Sequence, residues 1–102
     1  MSFREPSEEE TFTDPSVVDS LFHPQKQKIL EILVEEERTI YDLKQMMNLN
    51  PGIVKRHIDD LVEKKLIIFT REGRNAMGMN LKYYRAVTKK YIIHIEKNFN
   101  KM

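Results

Sequence analysis

The chain has 102 residues, which predicts one small domain, and its formal net charge is only +1. The absence of cysteine excludes disulfides, thiolate-bound zinc, iron–sulfur clusters and a cysteine nucleophile. Hydrophobic residues make up 40% of the chain and charged residues 32%, and no apolar run approaches the roughly 18–20 residues that span a bilayer. We therefore expect a folded cytoplasmic domain that makes no membrane contact.

The small net charge hides a segregation of charge along the chain. Residues 1–23 hold one basic residue and six acidic ones. From Arg38 onward, 14 basic residues stand against 6 acidic ones. Such an asymmetry between halves is a reason to look for contact with a nucleic acid.

The N-terminal quarter predicts an acidic leader followed by two helices. Residues 1–12 include three consecutive glutamates and predict a largely flexible segment, with an extended stretch near Glu10–Thr13. Asp14-Pro15 and His23-Pro24 each predict a helix start, because a capping side chain is followed by proline at the first helical position. The second helix is expected to stop near Glu35, where negative charge opposes the helix dipole.

The middle of the chain predicts two helices joined by a tight turn. Thr39 and Asp42 have the spacing of a capping box and predict a helix of about two turns. Asn48-Leu49-Asn50 forms the turn, and Pro51 opens a second helix that ends around Lys64-Lys65. Apolar residues of this second helix recur at the spacing of a buried face, opposite a polar face. We expect Val54, Ile58, Leu61 and Val62 in the core, Lys55, Arg56 and Asp59 outside, and His57 near the edge.

The period changes after this helix. Residues 66–70 are β-branched and aromatic and predict a strand, and residues 81–87 predict its partner. Residues 71–80 contain two glycines and two asparagines and predict the hairpin loop between them. Residues 91–95 fit either a strand or one face of a short helix, and their β-branched content favours the strand.

This order of elements is that of an α+β winged helix-turn-helix. We expect a three-helix core with a β-hairpin wing, an extra N-terminal helix and a C-terminal strand or short helix. The expected domain covers residues 13–96, between the leader at 1–12 and a tail at 97–102.

A helix that enters the major groove needs a buried apolar face that holds it and polar side chains that meet the base edges. A basic hairpin beside it can reach backbone phosphates or the minor groove. The sequence therefore predicts double-stranded DNA as the partner. The expected DNA contacts are Asn50, Pro51, Gly52, Ile53, Lys55, Arg56 and His57 on the recognition helix, and Arg71, Arg74 and Lys82 on the wing.

At these residues the chain resembles the archaeal ArsR-like winged-helix transcription regulators, over about Thr13–Ile95. The resemblance rests on LFHPQKQKILEILVEEERTIYDLKQMMNLNPGIVKRHIDDLVEKKLI and on KYYRAVTKKYIIHI after the hairpin. It implies a homodimer that binds a partly palindromic operator as a repressor or other regulator. Metal-sensing members carry paired cysteines where this chain has Ile40–Met47, so thiolate metal sensing is excluded and the small-molecule effector stays unknown. The family also places glycine after the recognition helix, where this chain has Lys64-Lys65.

Two apolar segments are left over once the winged core is built, and they predict the dimer interface. These are the first helix and the last apolar run, and the expected interface residues are Val17, Val18, Leu21, Phe22, Tyr91, Ile93 and Ile95. Two other functions remain open at this stage. One is a winged-helix module for protein–protein contact, and the other is an architectural DNA binder without sequence preference.

No pattern in the chain predicts an enzyme, a metal site or a cofactor. The three histidines, His23, His57 and His94, are far apart in sequence and have no helical ligand spacing. Asp59 and Asp60 are adjacent on a helix, so their side chains point about 100° apart and are expected to be solvated. Glycine-rich phosphate loops and a Ser-His-Asp order are absent from the sequence.

Overall fold

The structure, a computed structural model, describes residues 5–95. Its elements in chain order are β1 (Glu10–Phe12), α1 (Pro15–Leu21), α2 (Pro24–Glu35), β2 (Arg38–Thr39), α3 (Ile40–Met47), α4 (Pro51–Glu63), β3 (Ile67–Arg74), β4 (Asn80–Ala86) and β5 (Tyr91–Ile93). Helices α2 to α4 form the helix-turn-helix core, and the β3–β4 hairpin forms the wing. The predicted winged helix-turn-helix fold is confirmed.

The helix starts follow from side chains that accept hydrogen bonds from free backbone N–H groups. Asp14 caps α1 in this way. His23 caps α2, where its Nδ1 accepts from the backbone N–H of Lys26 at 3.4 Å. Thr39 and Asp42 form a complete capping box on α3, with both hydrogen bonds at 3.0 Å. These predicted helix starts are confirmed.

The core lies between the helices and the inner ends of β3 and β4. Val54, Ile58 and Leu61 from α4 are fully buried, as predicted. Val62 was also expected inside, but 38% of its surface is exposed. The buried face of α4 is centred on the other three residues, and Val62 lies about 100° around the helix from Leu61. The expectation for Val62 is therefore wrong.

The end of α4 closes without glycine. Lys65 has a φ of +63°, in the left-handed region that favours glycine. The backbone N–H of Lys65 donates to the carbonyl of Val62 at 3.0 Å, and that of Leu66 donates to Leu61 at 2.9 Å. This is a Schellman motif, which satisfies the last carbonyls of the helix. The lysine at this position costs about 1 kcal/mol relative to glycine.

A buried arginine closes the C-terminus of α2. Arg85 on β4 donates from Nε to the carbonyl of Leu33 and from Nη2 to the carbonyl of Val34, both at 3.0 Å. The last carbonyls of a helix carry the negative end of its dipole, so a guanidinium is well suited to them. Arg85 thus fixes β4 against α2 from within the core.

The wing is a longer ladder than the sequence indicated. The predicted loop covered residues 71–80, but the antiparallel pairing of β3 and β4 continues to Arg74 opposite Asn80. The loop itself is residues 75–79, because residues beyond Phe69 keep their cross-strand partners after a β-bulge. The short strand β2 was not predicted, and it pairs with β4 to make a three-stranded sheet of order β2-β4-β3.

The N-terminal segment pairs with the end of the chain. Strand β1 runs parallel to β5, with Phe12 opposite Ile93, and Ser7 forms a bridge with Thr88. The extended stretch near Glu10–Thr13 and the strand expected within residues 91–95 are both confirmed. The pairing attaches the described end of the expected leader to the winged domain. The domain boundaries remain predictions, and the expected tail at 97–102 lies outside the described residues.

Candidate DNA-binding surface

The turn between α3 and α4 sets the direction of the recognition helix. Asn48 ends α3 in the left-handed conformation, with a φ of 54°, and the N–H of Leu49 donates to the carbonyl of Lys44 at 3.2 Å. Asn50 then caps α4, since its Oδ1 accepts from the N–H of Gly52 at 2.7 Å. Pro51 fills the first helical position, where no N–H is needed.

Gly52 lets this cap close. A Cβ at position 52 would lie 3.0 Å from the Asn50 Oδ1 atom, which is tighter than ordinary van der Waals contact. Asn50, Pro51 and Gly52 are all exposed, so the first turn of α4 faces solvent. The positive end of the α4 dipole lies at this turn and favours an anion such as a DNA phosphate.

The outer face of α4 carries the two predicted cations. Lys55 and Arg56 are exposed, whereas Ile53 is half-buried. Lys55 donates to Asp59 at 2.7 Å, and this hydrogen bond raises the pKa of Lys55. Part of the lysine charge is therefore compensated within the helix, and Arg56 is the stronger candidate for reading a base.

His57 turns away from the outer face of α4. Its Nε2 lies 2.6 Å from the Gln25 Oε1 atom, and its ring centroid is 4.9 Å from that of His23 at the start of α2. Burial lowers the pKa of His57, and the nearby His23, Lys26 and Arg56 add to this effect. The structure thus brings together two histidines that the sequence left apart, and it places the His57 ring in contact with α2.

The predicted wing residue Arg71 is held by two neighbours. Its Nε donates to Glu37 at 2.7 Å, and its guanidinium carbon lies 3.9 Å from the centre of the Tyr83 ring. The hydrogen bond with Glu37 raises the pKa of Arg71. Glu37 also accepts from the Thr70 hydroxyl at 2.7 Å. Sequence reasoning missed Glu37, because no local pattern links residues that are 34 positions apart.

The two adjacent tyrosines of β4 have different surroundings. Tyr83 lies beneath Arg71, and Tyr84 packs against the core, with its ring 6.2 Å from that of Phe69. Burial raises the pKa of Tyr84. Tyr84 therefore supports the wing, while Tyr83 orients an arginine.

The tip of the wing is ordered by its own hydrogen bonds. Asn75 Oδ1 accepts from the N–H groups of Met77 and Met79, at 2.9 and 3.0 Å. Arg74 is exposed and donates to the carbonyl of Gly78 at 3.3 Å. Lys82 is likewise exposed on the partner strand. The basic side chains Arg74 and Lys82 are thus presented to solvent on a structured hairpin.

Asp60 was expected to be solvated, and this is wrong. It accepts hydrogen bonds from Lys26 at 2.8 Å and from Ser20 at 2.9 Å, and it forms an ion pair with Lys64 at 3.1 Å. Burial alone would raise the pKa of Asp60, but hydrogen bonds from Lys26, Lys64 and Ser20 lower it to about 2. Asp60 therefore connects α4 to α1 and α2.

The residues expected at a dimer interface divide into three groups by exposure. Val17 and Leu21 lie in the core of the chain, because α1 packs this face on its own domain. Phe22 and Ile95 are 63% and 71% exposed. The others, Val18, Tyr91 and Ile93, are half-buried. A second chain can thus reach Phe22 and Ile95 fully, but not Val17 or Leu21.

Two further properties concern the described residues. Between residues 5 and 95, no group of three or more His, Asp or Glu side chains is arranged to hold a metal ion. Over the same part of the chain, no helix is long and apolar enough to cross a membrane.

Comparison with known families identifies the helix-turn-helix segment. Residues 23–68 match the family described as bacterial regulatory protein, arsR family. This range runs from the cap of α2 to the start of β3, so it contains the whole helix-turn-helix. The helix-turn-helix of the chain is therefore similar to that of the ArsR family over these residues. A search of curated proteins gave no significant match.

Solved structures of regulators share the fold of the chain. HlyU from Vibrio cholerae superposes with a TM-score of 0.55 at 15% identity, covering 70% of this chain and 71% of HlyU. The transcriptional repressor BigR from Xylella fastidiosa gives 0.57 at 20% identity, covering 69% and 63%. A homodimeric winged helix-turn-helix DNA-binding domain from Mycobacterium bovis gives 0.56 at 19% identity, covering 72% and 63%. The fold is thus an ArsR-type winged helix-turn-helix.

Proposed function

We propose that this protein is a sequence-specific transcription regulator that binds double-stranded DNA as a homodimer. The observation that carries the proposal is the recognition helix α4. Three of its residues are fully buried, while Arg56 and the capped first turn face solvent. A helix held in this way can enter the major groove with its polar face against the bases. The ArsR-family match over residues 23–68 supports the same function.

The proposed contacts are of two kinds. Arg56 reads a base edge, while Lys55 and the positive end of the α4 dipole bind phosphate. On the wing, Arg71, Arg74 and Lys82 bind the DNA backbone or the minor groove. Glu37 and Tyr83 restrict the guanidinium of Arg71, so less side-chain freedom is lost when it binds.

The homodimer and the repressor role come from the similar structures. The Mycobacterium bovis domain is described as homodimeric and BigR as a repressor. A two-fold dimer presents two recognition helices, so its operator is partly palindromic. We place the protein among the archaeal ArsR-like regulators, in the cytoplasm, without enzymatic activity and without a cofactor. Its effector is a separate question that a ligand screen can address.

Titration of labelled DNA by fluorescence anisotropy tests the proposal. Fragments from upstream of the protein's own coding sequence and of its neighbours are compared with shuffled fragments of the same composition, at several salt concentrations. Specific regulators typically bind their sites about 10³-fold or more tightly than other DNA. Equal affinity for all fragments at every salt concentration would point to an architectural DNA binder instead.

A second candidate function is a winged-helix module for protein contact. Phe69 is 48% exposed and Val62 is 38% exposed, and both line the same shallow groove between α4 and β3. Exposed apolar residues that are adjacent can mark a protein-binding surface. Absence of DNA binding, together with copurification of one protein at fixed stoichiometry, would favour this candidate.

A further inference from the structure

The two-stranded sheet of β1 and β5 has an open edge on β5. Hydrogen bonds join the Glu10 N–H to the Lys90 carbonyl and the His94 N–H to the Phe12 carbonyl, both at 3.0 Å. In a parallel ladder alternate residues of a strand face the same neighbour, so Lys90, Ile92 and His94 face β1. The N–H and C=O groups of Tyr91 and Ile93 therefore point away from β1. Within residues 5–95, β5 has no other strand beside it.

This edge is only three residues long, but within those residues it lacks the other usual protections against pairing. Natural edge strands are blunted by proline, by charged residues or by bulges. Tyr91-Ile92-Ile93 contains no proline and no charge. Its register with β1 is regular over all three residues. Such a strand is able to add another strand to its sheet.

A groove of about 510 Å³ runs along the same edge. Tyr91 and Ile93 of β5 line the groove. Leu30 and Val34 of α2 add apolar surface to it, and so does the exposed Phe22. An added strand would therefore cover apolar surface as well as pair its backbone groups. The remaining lining residues include Glu31 and Glu35 on α2 and Lys89 before β5.

We propose that β5 pairs antiparallel with β5 of a second copy of the chain, so that the dimer contains a four-stranded sheet of order β1-β5-β5-β1. The inference rests on the homodimer proposed above and specifies its interface. A second copy fits this groove for two reasons. First, the groove is lined by both acidic and basic residues, so its charges can complement those of an identical groove across a two-fold axis. Second, the outward N–H and C=O groups of β5 match those of an identical antiparallel strand.

The register follows from the direction of the backbone groups. Tyr91 of one protomer lies opposite Ile93 of the other, and these two residues exchange N–H and C=O hydrogen bonds. The two Ile92 residues then face each other on the two-fold axis as a non-hydrogen-bonded pair, with Cα atoms about 4.5 Å apart. That distance is within the range of about 4.4–6.8 Å that a disulfide requires.

The cysteine-free sequence allows a direct test by disulfide formation in the full chain. Ile92→Cys places one thiol at the proposed axis. Thr11→Cys is the matched control, because Thr11 lies opposite Ile92 on β1 and on the same face of the sheet. In the proposed dimer the two Thr11 residues are three strand spacings apart, about 14 Å, which is too far for a disulfide.

Each variant is oxidised at low micromolar concentration and run on a non-reducing gel, and its mass under reducing conditions is measured by light scattering. The proposal predicts that most of the Ile92→Cys protein becomes a covalent dimer, with at least ten times more crosslinking than Thr11→Cys. Equal crosslinking of the two variants, or a dimer in solution that Ile92→Cys does not crosslink, would overturn the β5 pairing and leave the proposed regulator intact. A monomer at all concentrations would overturn both the pairing and the proposed dimer, while the DNA titration would still decide whether the protein is a regulator.

Discussion

Replacing Asp60 with Asn tests the ion-pair cluster that holds the recognition helix against α1 and α2. Asp60 binds Lys26 at 2.8 Å and Lys64 at 3.1 Å, and only 24% of its side chain is exposed. The adjacent Asp59 provides the matched control. It pairs with Lys55 at 2.7 Å, but both side chains of that pair are about 60% exposed. The two substitutions therefore make the same chemical change at neighbouring positions of one helix, in a partly buried and in an exposed ion pair.

The expected cost follows from the pKa of Asp60. The folded protein lowers this pKa from 3.8 to about 2, and each pKa unit corresponds to about 1.4 kcal/mol. Asp60→Asn should therefore reduce the free energy of unfolding at pH 7 by about 2 kcal/mol, or lower Tm by about 10 °C. Asp59→Asn should cost less than about 0.5 kcal/mol, because exposed i,i+4 pairs contribute little.

The pH dependence of the stability provides a second test of the role of Asp60. A carboxylate whose pKa is lowered by folding stabilises the protein above its unfolded pKa, and this contribution is lost as the pH falls towards the folded pKa. The stability difference between the wild type and Asp60→Asn should therefore be constant above about pH 5 and should shrink between pH 4 and 2. Urea denaturation followed by circular dichroism measures it. Equal costs for the two substitutions, or a difference that does not shrink in acid, would refute the role assigned to Asp60.

Three further predictions concern the DNA-facing side of the molecule and His57. Arg56→Ala should weaken binding to a preferred site by about 1–3 kcal/mol and change binding to other DNA much less. Lys28→Ala, on the exposed side of α2, is the control and should change the affinity for neither kind of DNA. Anisotropy titrations of each variant measure these affinities. Arg74→Ala should reduce the slope of log K against log salt by about one unit, since one phosphate contact is lost, and an unchanged slope would remove Arg74 from the interface. Folding lowers the pKa of His57 below 6.5, so protonation of His57 opposes folding. The free energy of unfolding of the wild type should therefore fall as the pH drops below about 6.5, and His57→Gln should remove this part of the decline. The same substitution at the exposed His94 serves as the control.

Local rules were enough to predict the helix-turn-helix. Capping residues such as His23 and Thr39 act on N–H groups two or three positions away, so their effect can be read from a short stretch of sequence. At the end of α4, where the resembled family has glycine, the structure has a left-handed Lys65. The buried apolar face of α4 followed from helical spacing, although Val62, at its edge, was assigned to the wrong side.

Contacts between distant segments could not be predicted in this way. Arg85 reaches the carbonyls at the end of α2 across 52 positions, and Glu37 reaches Arg71 across 34. Asp60 was assigned to solvent because its partner Lys26 lies on another helix. Each of these charged residues looks like a surface residue in the sequence. Only the packing of the elements shows which partner each of them has.

Selection of bound sequences from a random pool of double-stranded DNA shows whether α4 reads sequence. The wild type is expected to enrich one motif, partly palindromic, with half-sites about 34–36 Å apart or a multiple of this distance. Arg56→Ala is expected to relax the preference at a defined position in each half-site. A pool that stays unenriched after repeated rounds, although the protein retains DNA, would contradict the claim that α4 reads sequence.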